Sequence, residues 1–247
     1  MSDEMIPVDL NDPMEFCCAA ENPCFNECCR DLNQALTPYD ILRMKNALNI
    51  PSQKFLREYT SLHFGPESGL PIITFKPNPA TGHACPFVRE KGCSVYNDRP
   101  ASCRMYPLAR AIARDRQTGQ IREFFARIEE DHCKGHGRED GITVDQWIQG
   151  QKVADHNREN DKLVELISLK NQIMPGKLEG AQADSFYMAL YDLDEFKDKI
   201  QNNNLLDGLD VPEALMDKIL EDDLALLNFG IAWLKYELFG KELKVDI

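Results

Sequence analysis

The run Gly92-Cys93-Ser94-Val95-Tyr96-Asn97-Asp98-Arg99-Pro100-Ala101-Ser102-Cys103-Arg104-Met105-Tyr106-Pro107 decides how this chain is read. Glycine and proline punctuate it beside both cysteines, which places each thiol next to a tight turn. The same pattern recurs outward from it. Cys85 precedes Pro86, Gly135 follows Cys133 by two residues, and upstream stands Cys24-x3-Cys28-Cys29. A thiolate-bound metal needs sulfurs from a few chain segments within roughly 2.3 Å of one ion, and tight loops are the usual way to bring them there. The candidate ligands are therefore Cys24, Cys28, Cys29, Cys85, Cys93, Cys103 and Cys133. The matching cofactor is zinc or iron, including a 4Fe-4S cluster. Adjacent residues such as Cys28 and Cys29 rarely put both sulfurs on one tetrahedral ion, so one of the pair is expected to be outer, bridging or redox-active. Cys17 is the expected spare. Arg99, Arg104, Arg110, Arg114 and Arg116 cluster nearby and would offset the negative charge of such a centre.

Charge and composition narrow the function classes. The chain has 247 residues, with 28 Lys+Arg against 41 Asp+Glu and a net charge of −13. That balance argues against a nucleic-acid binder and against docking on anionic membranes. No stretch approaches the roughly 18–20 apolar residues of a spanning helix. The acidic start Met1-Ser2-Asp3-Glu4-Met5 lacks the apolar segment of a secretory signal, so a cytoplasmic location is expected. A reducing compartment disfavours a disulfide framework. All nine cysteines lie at or before Cys133, a confinement that simple buried thiols would not show. Residues 1–136 carry 16 basic against 18 acidic side chains, whereas 137–247 carry 12 against 23. The split predicts a cysteine-cluster metal-binding domain over 1–140 and an acidic helical region over 141–247.

Local signals give the elements. Thr37, Pro38 and Asp40 form a capping box that opens a helix through Leu48, ended by Asn49-Ile50-Pro51. Ser52 is expected to cap a second, short helix. Ile72–Phe75 and Ile121–Ile128 read as strands. Thr143 and Gln146 make another capping box, predicted to start a helix running to about Ile173. Pro212–Phe239 reads as one further long helix, with a break placed near Gly230. Leu224, Leu227, Ile231 and Leu234 recur at helical spacing and are assigned to the core. The fold class is α+β and mostly α: a small cysteine-rich domain with short strands, then long C-terminal helices.

Taken together, Phe16-x-Cys18, Cys24-Phe25-x-x-Cys28-Cys29-Arg30, Leu36-Thr-Pro-Tyr-Asp-Ile-Leu-Arg43, Cys85-Pro-Phe87, the run 92–107 and Cys133-Lys-Gly135 resemble the YkgJ-type cysteine-cluster family. The likeness covers about residues 16–136. It implies chelation of zinc or iron and implies no reaction. The family usually has C-x2-C-G-x-C-C, whereas Cys24 here stands one residue further from Cys28 and Phe25 fills the glycine position. Either Cys18 replaces Cys24 as ligand or the loop is one residue longer. A more distant similarity to the cysteine-rich part of flagellin lysine N-methylases implies an alternative, an iron–sulfur-dependent protein-modifying enzyme using S-adenosylmethionine. No glycine-rich methyltransferase turn accompanies it. The remaining classes are a metal carrier or an interaction module, with the acidic C-terminal helices offered to a protein partner. Arg99 and Arg104 are read as groups facing sulfur or acidic residues, or else as surface charges. Tyr96 and Tyr106 are read as core rings.

Overall fold

The computed structural model describes residues 4–30, 34–66, 68–76, 78–115, 118, 120–137, 141–203 and 205–245. Met1–Asp3 and Arg116, both used above, lie outside the described residues, as does the Arg114 side chain. In chain order the first elements are β1 (Glu4–Val8), β2 (Ala35–Leu36), α1 (Pro38–Leu48), α2 (Ser52–Tyr59), β3 (Thr60–Phe64) and β4 (Pro71–Phe75). The short hairpin β5 (Val88–Arg89) and β6 (Gly92–Cys93) follows, then α3 (Ala101–Met105), β7 (Leu108–Arg114) and β8 (Ile121–Glu129). The chain ends in helices α4 (Val144–Gly150), α5 (Ala154–Ile173), α6 (Ala181–Leu190), α7 (Leu193–Asn202), α8 (Glu213–Glu221) and α9 (Asp223–Phe239). The fold is α+β and mostly helical, with sheets of two or three strands. No helix among the described residues is long and apolar enough to cross a membrane.

Contacts divide the chain into two compact units, Met1–Leu32 with Pro77–Asn157, and Asn33–Lys76 with Arg158–Ile247. All nine cysteines fall in the first. Its antiparallel sheet runs β1-β8-β7, and Val8 and Phe125 on that sheet pack against buried Met14, Phe16, Met105, Leu108, Val144 and Val153. Sheet and turns thus share one small core. The second unit joins the sheet β2-β4-β3 and helices α1 and α2 to α6–α9. Phe196 meets Trp233 with ring centroids 5.4 Å apart, and buried Lys45 sits between Asp223 at 2.7 Å and Asp194 at 3.4 Å.

Both capping boxes form: the Thr37 and Thr143 hydroxyls accept from the backbone N–H of Asp40 and Gln146, whose side chains accept in return. Three expectations change. Ser52 is the first helical residue and not the cap; Pro51 precedes it, while the Ser52 hydroxyl donates to Asp192 and its N–H donates to Asp194. The helix begun at Thr143 stops at Gly150, because Lys152 takes a left-handed backbone (φ 53), and α5 starts anew at Ala154. The C-terminal helix breaks at Asp222 and not near Gly230. Asp222 is extended and caps α9 by accepting from the N–H groups of Leu224 and Ala225. Leu227, Ile231 and Leu234 are buried, as their spacing predicts, and Leu224 is half-buried.

Gly230 serves a different purpose from a break. A Cβ there would lie 2.5 Å from the Ala189 carbonyl oxygen, so the missing side chain lets α9 approach α6 closely. Gly230→Ala is expected to lower stability to urea by about 1–3 kcal/mol through overpacking. Gly150→Ala meets nothing within 4 Å and is expected to be neutral or slightly stabilising. Equal effects from the two substitutions would contradict this packing.

Candidate metal centre

The site is built on main-chain pairing between distant segments. Phe16, 1% exposed, anchors the first: it bridges His136, and the Cys17 N–H donates to the Gly135 carbonyl at 3.0 Å. A Cβ on residue 135 would stand 2.8 Å from the Cys17 carbonyl oxygen and from the Phe16 ring, so only glycine fits. From there the chain descends through consecutive short turns. The N–H groups of Asn22, Phe25, Glu27, Cys29 and Arg30 donate to the carbonyls of Ala19, Asn22, Cys24, Asn26 and Glu27. Asn26 supplies the left-handed residue (φ 69), a conformation asparagine tolerates. Cys24, Cys28 and Cys29 ride on these turns.

Three further segments close around them. The Cys85 N–H donates to the Cys29 carbonyl at 2.8 Å, and the β5–β6 hairpin sets Cys93 opposite Val88. Pro100 caps α3, which carries Cys103. On the fourth segment, the Lys134 N–H donates to the Cys24 sulfur at 3.1 Å beside Cys133. All nine cysteines are free thiols. Cys18, Cys24, Cys28 and Cys133 line one small cleft with Tyr106 and His132. A second group lies against it: Cys29 feels the charges of Cys28, Cys85 and Cys103, while Cys93 feels that of Cys28. Cys28 belongs to both. Every one of the seven expected ligands falls in one group or the other, and Cys18, weighed from sequence only as a substitute for Cys24, lies beside Cys24 in the first.

Partial burial and one thiol–thiol hydrogen bond shift the protonation of five of these thiols. The Cys29 thiol donates to Cys28 and pulls its pKa down to about 7, and the same hydrogen bond, with burial, drives the Cys29 pKa far up. Burial raises Cys18, and the neighbouring sulfurs raise it further. Cys85 and Cys93 are also raised by burial, against the pull of Arg89 on both and of Arg99 on Cys93. Thiols that disfavour one another's ionisation suit a cation, because the ion takes the place of the protons.

The surrounding polar groups are partly as expected. Arg99 and Arg104 are buried at 9% and 6% exposure and hold the turn before α3. Arg99 donates to the Tyr96 carbonyl at 2.7 Å and to the Gln151 side chain at 2.6 Å. Arg104 donates to the carbonyls of Arg99, Gln151 and Asn97. Neither is a solvated surface charge. Tyr96 is no core ring: it is 58% exposed, with the Arg99 guanidinium 3.7 Å over its face. Tyr106 does pack edge-on against Phe16, at 6.1 Å between ring centroids. Its hydroxyl is buried against Cys133 and Glu130 without a hydrogen bond of ordinary length to either, and burial raises its pKa. Both ring nitrogens of His136 are likewise buried and unpaired, and burial lowers its pKa. The spacing Cys133-x2-His136 offers His136 as a second ligand type, a reading its polar segment makes the lesser one, whereas nothing in the spacing flags the Tyr106 hydroxyl.

Residues 17–134 match the CxxCxxCC family. The family's description is "putative zinc- or iron-chelating domain". The matched stretch is just under half of the chain and contains all nine cysteines. No curated protein and no solved structure matches the chain. The CxxCxxCC likeness thus coincides with the turns that gather the thiols, and the donor set, neutral or anionic sulfur from four segments, fits zinc or iron in its chemistry. Among the described residues no three His, Cys, Asp or Glu side chains are yet set to hold one ion.

The depressed Cys28 pKa has a measurable consequence. In metal-free protein at pH 7, iodoacetamide is expected to alkylate Cys28 before Cys29, Cys18 or Cys85, as read by peptide mass mapping. Because its pKa is lowered, the thiolate persists above about 7 and is lost as pH falls, so the Cys28 rate should drop about tenfold per pH unit below 6. Uniform reactivity across the cysteines would contradict the assigned hydrogen bond.

Proposed function

We propose that this chain is a metal-binding protein whose cysteine-rich unit holds zinc, iron or an iron–sulfur cluster on thiolates drawn from Cys24, Cys28, Cys29, Cys85, Cys93, Cys103 and Cys133, with Cys18 beside Cys24. One observation carries the reading: turns from four chain segments bring these thiols into two adjoining groups that share Cys28. Thiolates held side by side are unfavourable without a metal and become favourable once an ion replaces their protons, so loading should stabilise this unit. A reducing compartment such as the cytoplasm would keep these thiols available to a metal.

Elemental analysis of protein purified without oxygen tests the proposal. We expect stoichiometric zinc or iron, lost by more than about tenfold on Cys28→Ser and retained on Cys17→Ser. Sulfide accompanying the iron would select a cluster, and a colourless zinc protein would select a simple ion. Metal-free wild-type protein, or Cys28→Ser with full metal content, would overturn it.

A further inference from the structure

An open cavity of the first unit adjoins the Cys18 cleft, and Asn26 lines both. It holds about 370 Å³ and is lined by Asn26, Arg30, Asn78, Cys85, Arg89 and Glu90 among others. That volume is at the lower end of the range for small-molecule sites, so its ligand is small. Two guanidinium groups from separate segments face it. The Arg30 Nη1 donates to the Thr81 carbonyl at 3.0 Å, and the Arg89 Nη1 donates to the carbonyls of Pro86 and Val88 at 2.8 and 2.7 Å. The Asn26 amide in turn donates to the Arg89 carbonyl at 3.0 Å and fixes the hairpin to the turn segment.

These bonds use one nitrogen of each fork. Among the described residues Arg89 has no carboxylate partner, and its Nε and Nη2 donate to nothing. Arg30 has only a long contact to Glu27, at 3.6 Å with both side chains about half exposed. A guanidinium held by main-chain carbonyls is pre-oriented, and its remaining N–H pair matches a carboxylate in fork-to-fork geometry. The Glu90 side chain also lines the cavity and makes no hydrogen bond or ion pair among the described residues, so its carboxylate is available to accept from a donor on the ligand.

We propose that this pocket binds a small dicarboxylate carrying a hydroxyl or ammonium group, with one carboxylate on each arginine and the donor group on Glu90. Cys85 in the wall places such a ligand beside the sulfur groups without making it depend on a bound metal.

L-malate is the probe, titrated calorimetrically into the full chain at low salt, with metal content measured before and after. Saturable binding is expected, weakened at least about tenfold in Arg30→Met/Arg89→Met, which keeps the apolar stems and removes the forks. Inorganic phosphate should bind more weakly, since it offers neither two carboxylates nor the span between two arginines. Should the double variant fold poorly, phenylglyoxal modification of the wild-type chain gives the same information. Malate should slow modification of Arg30 and Arg89 and leave Arg57, whose side chain is 70% exposed in the second unit, unprotected. No saturation by about 10 mM malate, phosphate binding tighter than malate, unchanged affinity in a folded double variant, or absence of protection would each overturn the proposal. Wild-type protein that holds no metal before the titration yet binds malate would overturn only the metal reading.

Discussion

The cysteine-rich unit depends on the contact between Phe16–Cys17 and Gly135–His136, which exists only because residue 135 has no Cβ. That contact joins the two ends of the cysteine-bearing sequence. Between them, the Cys85 N–H on the Cys29 carbonyl joins the middle segments. Main-chain hydrogen bonds therefore set where the sulfurs stand, and the side chains add little to their positions. The arrangement makes sense for thiols, which are weak hydrogen-bonding groups and cannot organise loops themselves. Phe16 supplies the apolar anchor, edge-on to Trp147 at 5.4 Å and tilted against His136 at 5.2 Å between ring centroids.

Positioning the thiols this way creates an electrostatic problem. Partial burial is the main cause that raises Cys18, Cys85 and Cys93, neighbouring sulfurs add to it, and Cys28 is lowered through the thiol of its neighbour. Arg89 and Arg99 lean against the rise at Cys93 but do not cancel it. Arg99 and Arg104 act mainly as struts, tying the turn before α3 to Gln151. A divalent ion is the natural complement to what remains, because it stabilises several thiolates at once.

Much of this was legible in the sequence where the signal is local. The capping boxes at Thr37 and Thr143 and the strands around Ile73 and Phe125 depend on residues a few positions apart, and they form where expected. The cysteine segments were legible too, since their turn-forming neighbours are adjacent in sequence. What was not legible depends on distant partners. Ser52 looks like a cap until Asp192 and Asp194, about 140 residues away, claim its hydroxyl and N–H. Gly230 looks like a break until Ala189 is seen against it. The Asp222 cap was readable in principle, an acidic pair ahead of an apolar run, but continuous helical spacing across it hid the boundary. Tyr96 sits outside with Arg99 over one face of its ring, a contact that spacing alone does not specify.

The central claim is that these sulfurs, and not the oxygen or nitrogen groups around them, hold the metal. X-ray absorption at the metal edge, on protein purified without oxygen, tests it most directly. The account predicts a first shell of sulfur at roughly 2.3 Å from zinc or iron. A first shell dominated by oxygen or nitrogen at roughly 2.0–2.2 Å would contradict it and return the cysteines to the role of buried thiols.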